Sequence, residues 1–489
     1  MFRLIAIAFA VIALNTAAFA QPAQDTRLPA EDLLADLALA EEAYARIHPG
    51  YTRYANPDEL STAWTTLRQR IETQGEMSVG EFYLELQSIL VEIRCDHTKV
   101  ELPRALRQER ETSQIYLPFR WQWIEERAIV THPGTVEGLN TGDEIIMIDD
   151  QPIADLVNEV IDYIPFDGET RWARATGLAD SSEFEGGAID HFGAMLNWPE
   201  PFGSAIARTA DGEERRVDFE RLNFADYRNL RSRFAPAENF KDAVHFEPLN
   251  ADTALLRVDT FVNYRDPVDP DDLYRPIFDE LSKTGVSNLI LDLRNNGGGS
   301  GDAQSGLIAY LIDERQTLYS DMRVATLDMD GLRDHLWTWD SRALSPNPLG
   351  FRTNDDGTYS LRRFVDRDLR PIRPQRQRFE GQLIMLIGPS NSSASTTIAT
   401  FLKDHADAVL VGAETGGSSE GPTAGLMFTL ILPNSDVRTR IPFFRYYNNV
   451  DNAAVGLGVS PDIEAGLTVE AYRNGEDPAL EAALAFIRQ

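Results

Sequence analysis

Leu289-Ile-Leu-Asp-Leu-Arg-Asn-Asn-Gly-Gly-Gly-Ser-Gly-Asp302, or LILDLRNNGGGSGD, is a continuous apolar strand that ends in three successive glycines. Glycines at a strand's C-terminal edge accept unusual φ values and let a ligand come close to the backbone, and ligands of open α/β sheets bind at such edges. The free N–H groups of Gly297 and Gly298 suit an oxyanion, although a plain strand-to-helix turn reads the same way. A P-loop is disfavoured, because no Lys-Ser/Thr follows the glycines. Upstream, TALLRVDTF (253–261), a helical stretch near 271–284 and NLILDL (288–293) form a strand–helix–strand unit, for which a parallel crossover is expected.

A second such edge lies at 383–399. LIMLIG reads as a buried strand, NSSASTTIA follows, and IATFLKDHA keeps apolar residues at helical spacing. By composition alone Ser392–Thr397 reads as a helix cap. A serine on a tight strand-to-helix turn also presents its Oγ at the sheet's rim, beside the unpaired N–H groups of the helix. There is no G-x-S-x-G pattern.

A serine nucleophile needs a base. The lysines are Lys99, Lys241, Lys283 and Lys403, and Lys403 would stand about three helical turns from the serines. Among seven histidines, His97 stands out, with an acid beside it in Cys95-Asp-His-Thr98 at a helix-to-strand junction. His132 reads as a turn residue and His405 as an exposed helix end.

The rest of the chain frames these segments. At 489 residues it exceeds one compact core, and 43% hydrophobic with 25% charged residues is an ordinary globular composition. A net charge of −31 disfavours nucleic acid as a partner and tight docking on anionic lipid. MFRLIAIAFAVIALNTAAFA has the charged, apolar and small-x-small layout of a secretory signal peptide cleaved after Ala20. Its apolar run is short for a membrane span, so no stable anchor and a periplasmic or secreted location are expected. The single cysteine, Cys95, excludes an internal disulfide and reads as a buried thiol. No spaced Cys/His cluster is present, so no metal or cofactor is expected. Residues 28–93 read as helices, with Ser78-Val-Gly-Glu81 as a capping box. Short strands follow from about 114, with a hairpin near 204–221, and 326–378 reads as an irregular surface insertion.

Four motifs in this order, CDHT (95–98), LILDLRNNGGGSGD, SSAST followed by AVLVGAETGG, and VGLGVSPDI (455–463), resemble the tail-specific, C-terminal-processing serine peptidases of family S41. GDEIIMIDDQPIADLVNEV (142–160) resembles the second half of a PDZ domain. The resemblance covers roughly residues 90–160 and 250–465. It implies an α/β fold with a crotonase-like ββα superhelix catalytic domain, an N-terminal helical region and a PDZ-like β-rich module. The expected division is a signal peptide at 1–20, a helical region at 21–110, a PDZ-like domain at 111–222 and a catalytic domain at 245–489. The implied activity is serine-type hydrolysis of polypeptide substrates. The family register, counted back from Gly412, selects Ser393 as nucleophile, and the oxyanion donors would be Ala394 and Gly297 or Gly298. Thr396 replaces the motif's usual Glu. The processing branch takes a lysine base soon after V-G-E-x-T, where this chain has Gly417-Ser418. The tricorn-like branch uses a histidine from an H-T motif, which here is His97. Asp451 is the implied orienting acid, with Glu414 and Glu420 as competitors. The alternative function is a non-catalytic protein of the same fold that binds peptides or apolar ligands.

Overall fold

A computed structural model describes residues 24–489 apart from 182, 197–200 and 452. The signal peptide expected at 1–20 lies outside the described residues. The N-terminal region is helical as its patterning predicts, with helices Ala30–Ile47, Pro57–Gln74 and Val79–Val91. The third begins with the expected capping box: Ser78 Oγ accepts from Glu81 N–H, and Glu81 accepts from Ser78 N–H. A short strand, Lys99–Glu101, follows the CDHT turn.

The β-rich module is a sheet with strands Arg120–Ile124, Arg127–His132, Glu144–Ile148, Phe202–Arg208 and Glu214–Glu220 in spatial order. Its last two strands form the hairpin expected near 204–221. Helix Ile153–Val160 packs its apolar face, Ile153, Leu156, Val157 and Val160, on this module.

The C-terminal half is α/β. A six-stranded sheet runs Val244–Pro248, Thr253–Val258, Asn288–Asp292, Gln382–Ile387, Val409–Gly412 and Ile463–Glu464. Only its first pair is antiparallel. The parallel crossover predicted for 253–293 is present, with helix Pro270–Thr284 between the strands. A second sheet is built on the long hairpin Thr423–Ile431 and Arg438–Asn448. Within the mostly exposed segment 326–378, Leu336–Trp337 pairs with the hairpin, and Phe351–Thr353 and Tyr359–Leu361 extend the other flank through Tyr319–Val324. These strands are two or three residues long, too short to show a two-residue period. Among the described residues no helix is long and apolar enough to cross a membrane.

Candidate active site

Strands Asn288–Asp292 and Gln382–Ile387 are parallel neighbours, with Asp292 opposite Leu386. The glycine turn and the serine turn therefore leave the same edge of the sheet side by side. In the glycine turn, buried Asn296 donates from Nδ2 to Val258 O at 3.0 Å, and its Oδ1 accepts from Gly298 N–H at 2.8 Å. Gly298 and Gly299 have φ of 105° and 141°, where a Cβ is strained. A Cβ on Gly298 would also meet Ser392 O and Ser393 Cβ, each at 2.9 Å. The missing side chain is what lets the two turns touch. The Gly298 N–H is committed to Asn296. Gly297 is the exposed one of the two, and a Cβ there meets only Ser390 O, at 3.9 Å.

The serine turn is held by Asn391. Its Oδ1 accepts from Gly388 N–H at 2.8 Å, and its Nδ2 donates to Leu293 O, to Asn296 O at 3.1 Å and to Ser395 Oγ at 2.9 Å. Its carbonyl accepts from Gly416 and Gly417 N–H, each at 2.9 Å. One buried amide thus joins three loops. Helix Ala394–His405 then starts from Ser393 at φ 52°, ψ −124°, and the Ser393 side chain makes no capping hydrogen bond. A β-carbon residue held at positive φ costs about 1–3 kcal/mol, and without a capping bond the strain is not offset by a helix cap. The neighbouring hydroxyls are occupied: Ser392 donates to Asp96, Ser395 accepts from Asn391, and Thr396 donates to Asn391 O. Ala394 N–H is the first orphan donor of the helix.

His97 enters from the N-terminal region. Strand Lys99–Glu101 pairs with Arg438–Arg440, which fixes the turn before it. His97 Nδ1 lies 2.6 Å from Asp96 Oδ1 as an ion pair, and neither atom has another partner. The Ser392 hydroxyl donates to the other oxygen of Asp96. The His97 loop and the serine turn are therefore joined through Ser392–Asp96, and no direct Ser393–His97 hydrogen bond occurs among the described residues. Burial pulls the His97 imidazole down, but the Asp96 charge and contact, with Cys95, raise its pKa well above the usual value. Burial acts against the Asp96 charge, and His97 and Ser392 hold its carboxyl below the usual range all the same.

Asp451 does not belong to this group. It is exposed, and its amide donates to Asp404 at 3.2 Å, near the far end of helix Ala394–His405. At 1.5 Å per residue that is about 15 Å along the axis from Ala394. Asp96 is the acid on His97 instead. The two competitors are also engaged elsewhere: Glu420 pairs with Arg53 and Arg445, and Glu414 accepts from the Gly458 amide.

Asp167, which sequence reasoning missed, reaches the site from beyond helix Ile153–Val160. Its Oδ2 accepts from Ser418 N–H at 2.9 Å, and its Oδ1 is buried without a hydrogen bond. Burial and then the Asp96 charge, against Arg53 and the Ser418 amide, push its pKa up to about 7. No local pattern in IPFDGET marks it.

Residues 252–465 match the model of peptidase family S41, and residues 113–190 match that of a PDZ domain. The chain carries a peptidase family S41 domain. Both turns of the site and the strands that present them fall inside the S41 match, whereas His97 and Asp96 lie N-terminal to both matched segments. A C-terminal processing peptidase, chloroplastic, of Tetradesmus obliquus is 27% identical over 187 residues, 38% of this chain, and the match spans 30% of that relative's length. In fold, the S41 domain and its flanking regions resemble mature CPAF complexed with lactacystin (TM-score 0.63, 18% identity, 94% of this chain and 97% of that one). They also resemble mature CPAF alone (TM-score 0.62, 17% identity, 93% and 96%).

Proposed function

We propose that the protein is an exported serine endopeptidase that hydrolyses peptide bonds through an acyl-enzyme at Ser393, with His97 as general base. The observation that carries this reading is the Ser393 turn. Its residue is strained, its hydroxyl makes no capping bond, and it is packed against a glycine turn at the edge of the sheet. A nucleophile elbow has this construction.

In the proposed reaction Asp96 holds the Nδ1 side of His97, and Nε2 takes the Ser393 proton as Oγ attacks the scissile carbonyl. The N–H groups of Gly297 and Ala394 receive the oxyanion. His97 returns the proton to the leaving amine, and water then repeats the sequence to release the acid. The substrate is a polypeptide, and the PDZ region would hold it as an added strand. Asp451 has no part in this scheme.

The test is labelling of the mature protein with a fluorophosphonate serine-hydrolase probe, beside Ser393→Ala and His97→Ala. Labelling of wild type alone is expected. A folded wild type that never labels overturns the reading, and labelling that survives in Ser393→Ala moves the nucleophile to another serine.

A further inference from the structure

The thiol of Cys95 has no part in the proposed reaction, yet it lies in the same turn as Asp96 and His97. Among the described residues, Cys95, Asp96 and His97 each offer one ligand atom, and these atoms all lie within 4.8 Å of one another. Arg94, at φ 57°, makes the reversal that precedes the turn. Two of the three atoms, Asp96 Oδ1 and His97 Nδ1, are shielded from solvent and face each other at 2.6 Å as an ion pair with no other partner. The third, Cys95 Sγ, contacts Thr423 O at 3.5 Å and also lies against the His97 side chain. The side chains of Asp96 and His97 are 22% and 20% exposed, while Cys95 is buried.

From this arrangement we propose that Cys95, Asp96 and His97 form an inhibitory site for a borderline-soft divalent cation of the zinc class. One sulfur, one imidazole nitrogen and one carboxylate oxygen are a zinc donor set. Three protein ligands leave a fourth position for water. Magnesium and calcium prefer all-oxygen shells and are not expected to compete. A thiolate and a carboxylate balance the charge of the ion. The Ser392 hydroxyl on the far oxygen of Asp96 supplies the outer-shell hydrogen bond that orients a ligating carboxylate.

Binding forms a metal–sulfur and a metal–nitrogen bond, releases the thiol proton to solvent and moves the single hydrogen of the neutral imidazole from Nδ1 to Nε2. That tautomer has no lone pair facing the serine, so it cannot accept the Ser393 proton. The inhibitory part of the proposal rests on the peptidase reading; the metal site itself does not. Sequence spacing gave no hint of it, because ligand sets are sought at intervals that bring separated residues together, and here the three are consecutive.

The experiment titrates Zn²⁺ into metal-free mature protein by calorimetry, repeats it with Co²⁺ read by optical absorption, and follows fluorophosphonate labelling in parallel. The expected result is one Zn²⁺ per chain, a thiolate-to-cobalt charge-transfer band, and loss of labelling that a chelator restores. Cys95→Ala, with Cys95→Ser as a second variant if the first folds poorly, is expected to keep its labelling without metal. It should weaken both binding and inhibition at least tenfold and abolish the cobalt band. Absence of binding, or binding unchanged in both variants, overturns the site. Binding at Cys95 that leaves labelling intact overturns the inhibition. If wild type fails to label even without metal, the peptidase reading falls, while calorimetry and the cobalt spectrum still decide the metal site.

Discussion

The glycine turn and the serine turn leave neighbouring strands of one sheet at the same edge, and both lead into a helix. Both require positive φ, and they meet the requirement with different residues. At Gly298 and Gly299 the backbone alone is needed, and glycine adopts φ of 105° and 141° without a Cβ to strain. At Ser393 a positive φ, 52°, is held by a residue with a side chain. On the proposed reading, strain is retained where a hydroxyl must be presented and avoided where only N–H groups are used.

The largest effect expected from breaking this contrast is at the serine. Ser393→Ala should lower probe labelling and peptide hydrolysis by roughly 10³-fold or more. Ser393→Gly should do the same while raising stability in urea by about 1 kcal/mol, because glycine relieves the turn. A Ser393→Gly protein less stable than wild type would show that the turn is not strained. Next comes Gly298→Ala, which adds a Cβ at positive φ against Ser392 O and Ser393 Cβ. Its labelling rate should fall about 10²-fold through displacement of the nucleophile, and a rate near wild type would separate the two turns functionally. Asn391→Asp keeps the acceptor for Gly388 N–H but removes the donors to Leu293 and Asn296. Chemical denaturation should show a loss of about 2 kcal/mol, and an unchanged midpoint would mean that the amide does not join the loops.

A buried carboxyl outside both turns gives a smaller, pH-dependent effect. Burial, against the Leu117 N–H, Arg221 and Arg120, pushes Asp190 up to about 7. A carboxyl raised in the folded state takes up its proton before the unfolded chain does. Its contribution is therefore fully present below about pH 4 and is lost as pH rises towards 7, at about 1.4 kcal/mol per pH unit. The stability of Asp190→Asn relative to wild type should rise with that slope across the window, and parallel curves would contradict the burial account. Gly297→Ala is the smallest change. The position is open and not left-handed, so labelling should stay within about twofold; a large loss would mean that substrate packs on Gly297 itself.

Much of the fold was legible because it rests on local patterning. The Ser78–Glu81 capping box, the parallel crossover around Pro270–Thr284 and the hairpin at 204–221 follow from caps, apolar runs and turn residues. Ser393 was reached through a family register and His97 through its acidic neighbour. What was not legible depends on contacts between distant segments. Asn391 reads as an ordinary turn residue until the carbonyls of Leu293 and Asn296 are seen against its amide. Asp451 is implied by its place in the motif order, but its backbone lies near the far end of helix Ala394–His405. The strands within 326–378 are recruited by pairing partners rather than by their own periodicity.

The pairing of Lys99–Glu101 with Arg438–Arg440, together with the Ser392–Asp96 contact across 296 residues, has a consequence for timing. A chain made from its N-terminus exposes the histidine early and the serine late. The strand that holds the histidine's turn in place is made later still. Closing contacts over such separations is slow relative to local folding. A nascent or truncated chain therefore holds the two halves of the site apart, and on the proposed reading the capacity to cut protein arises only as synthesis nears its end.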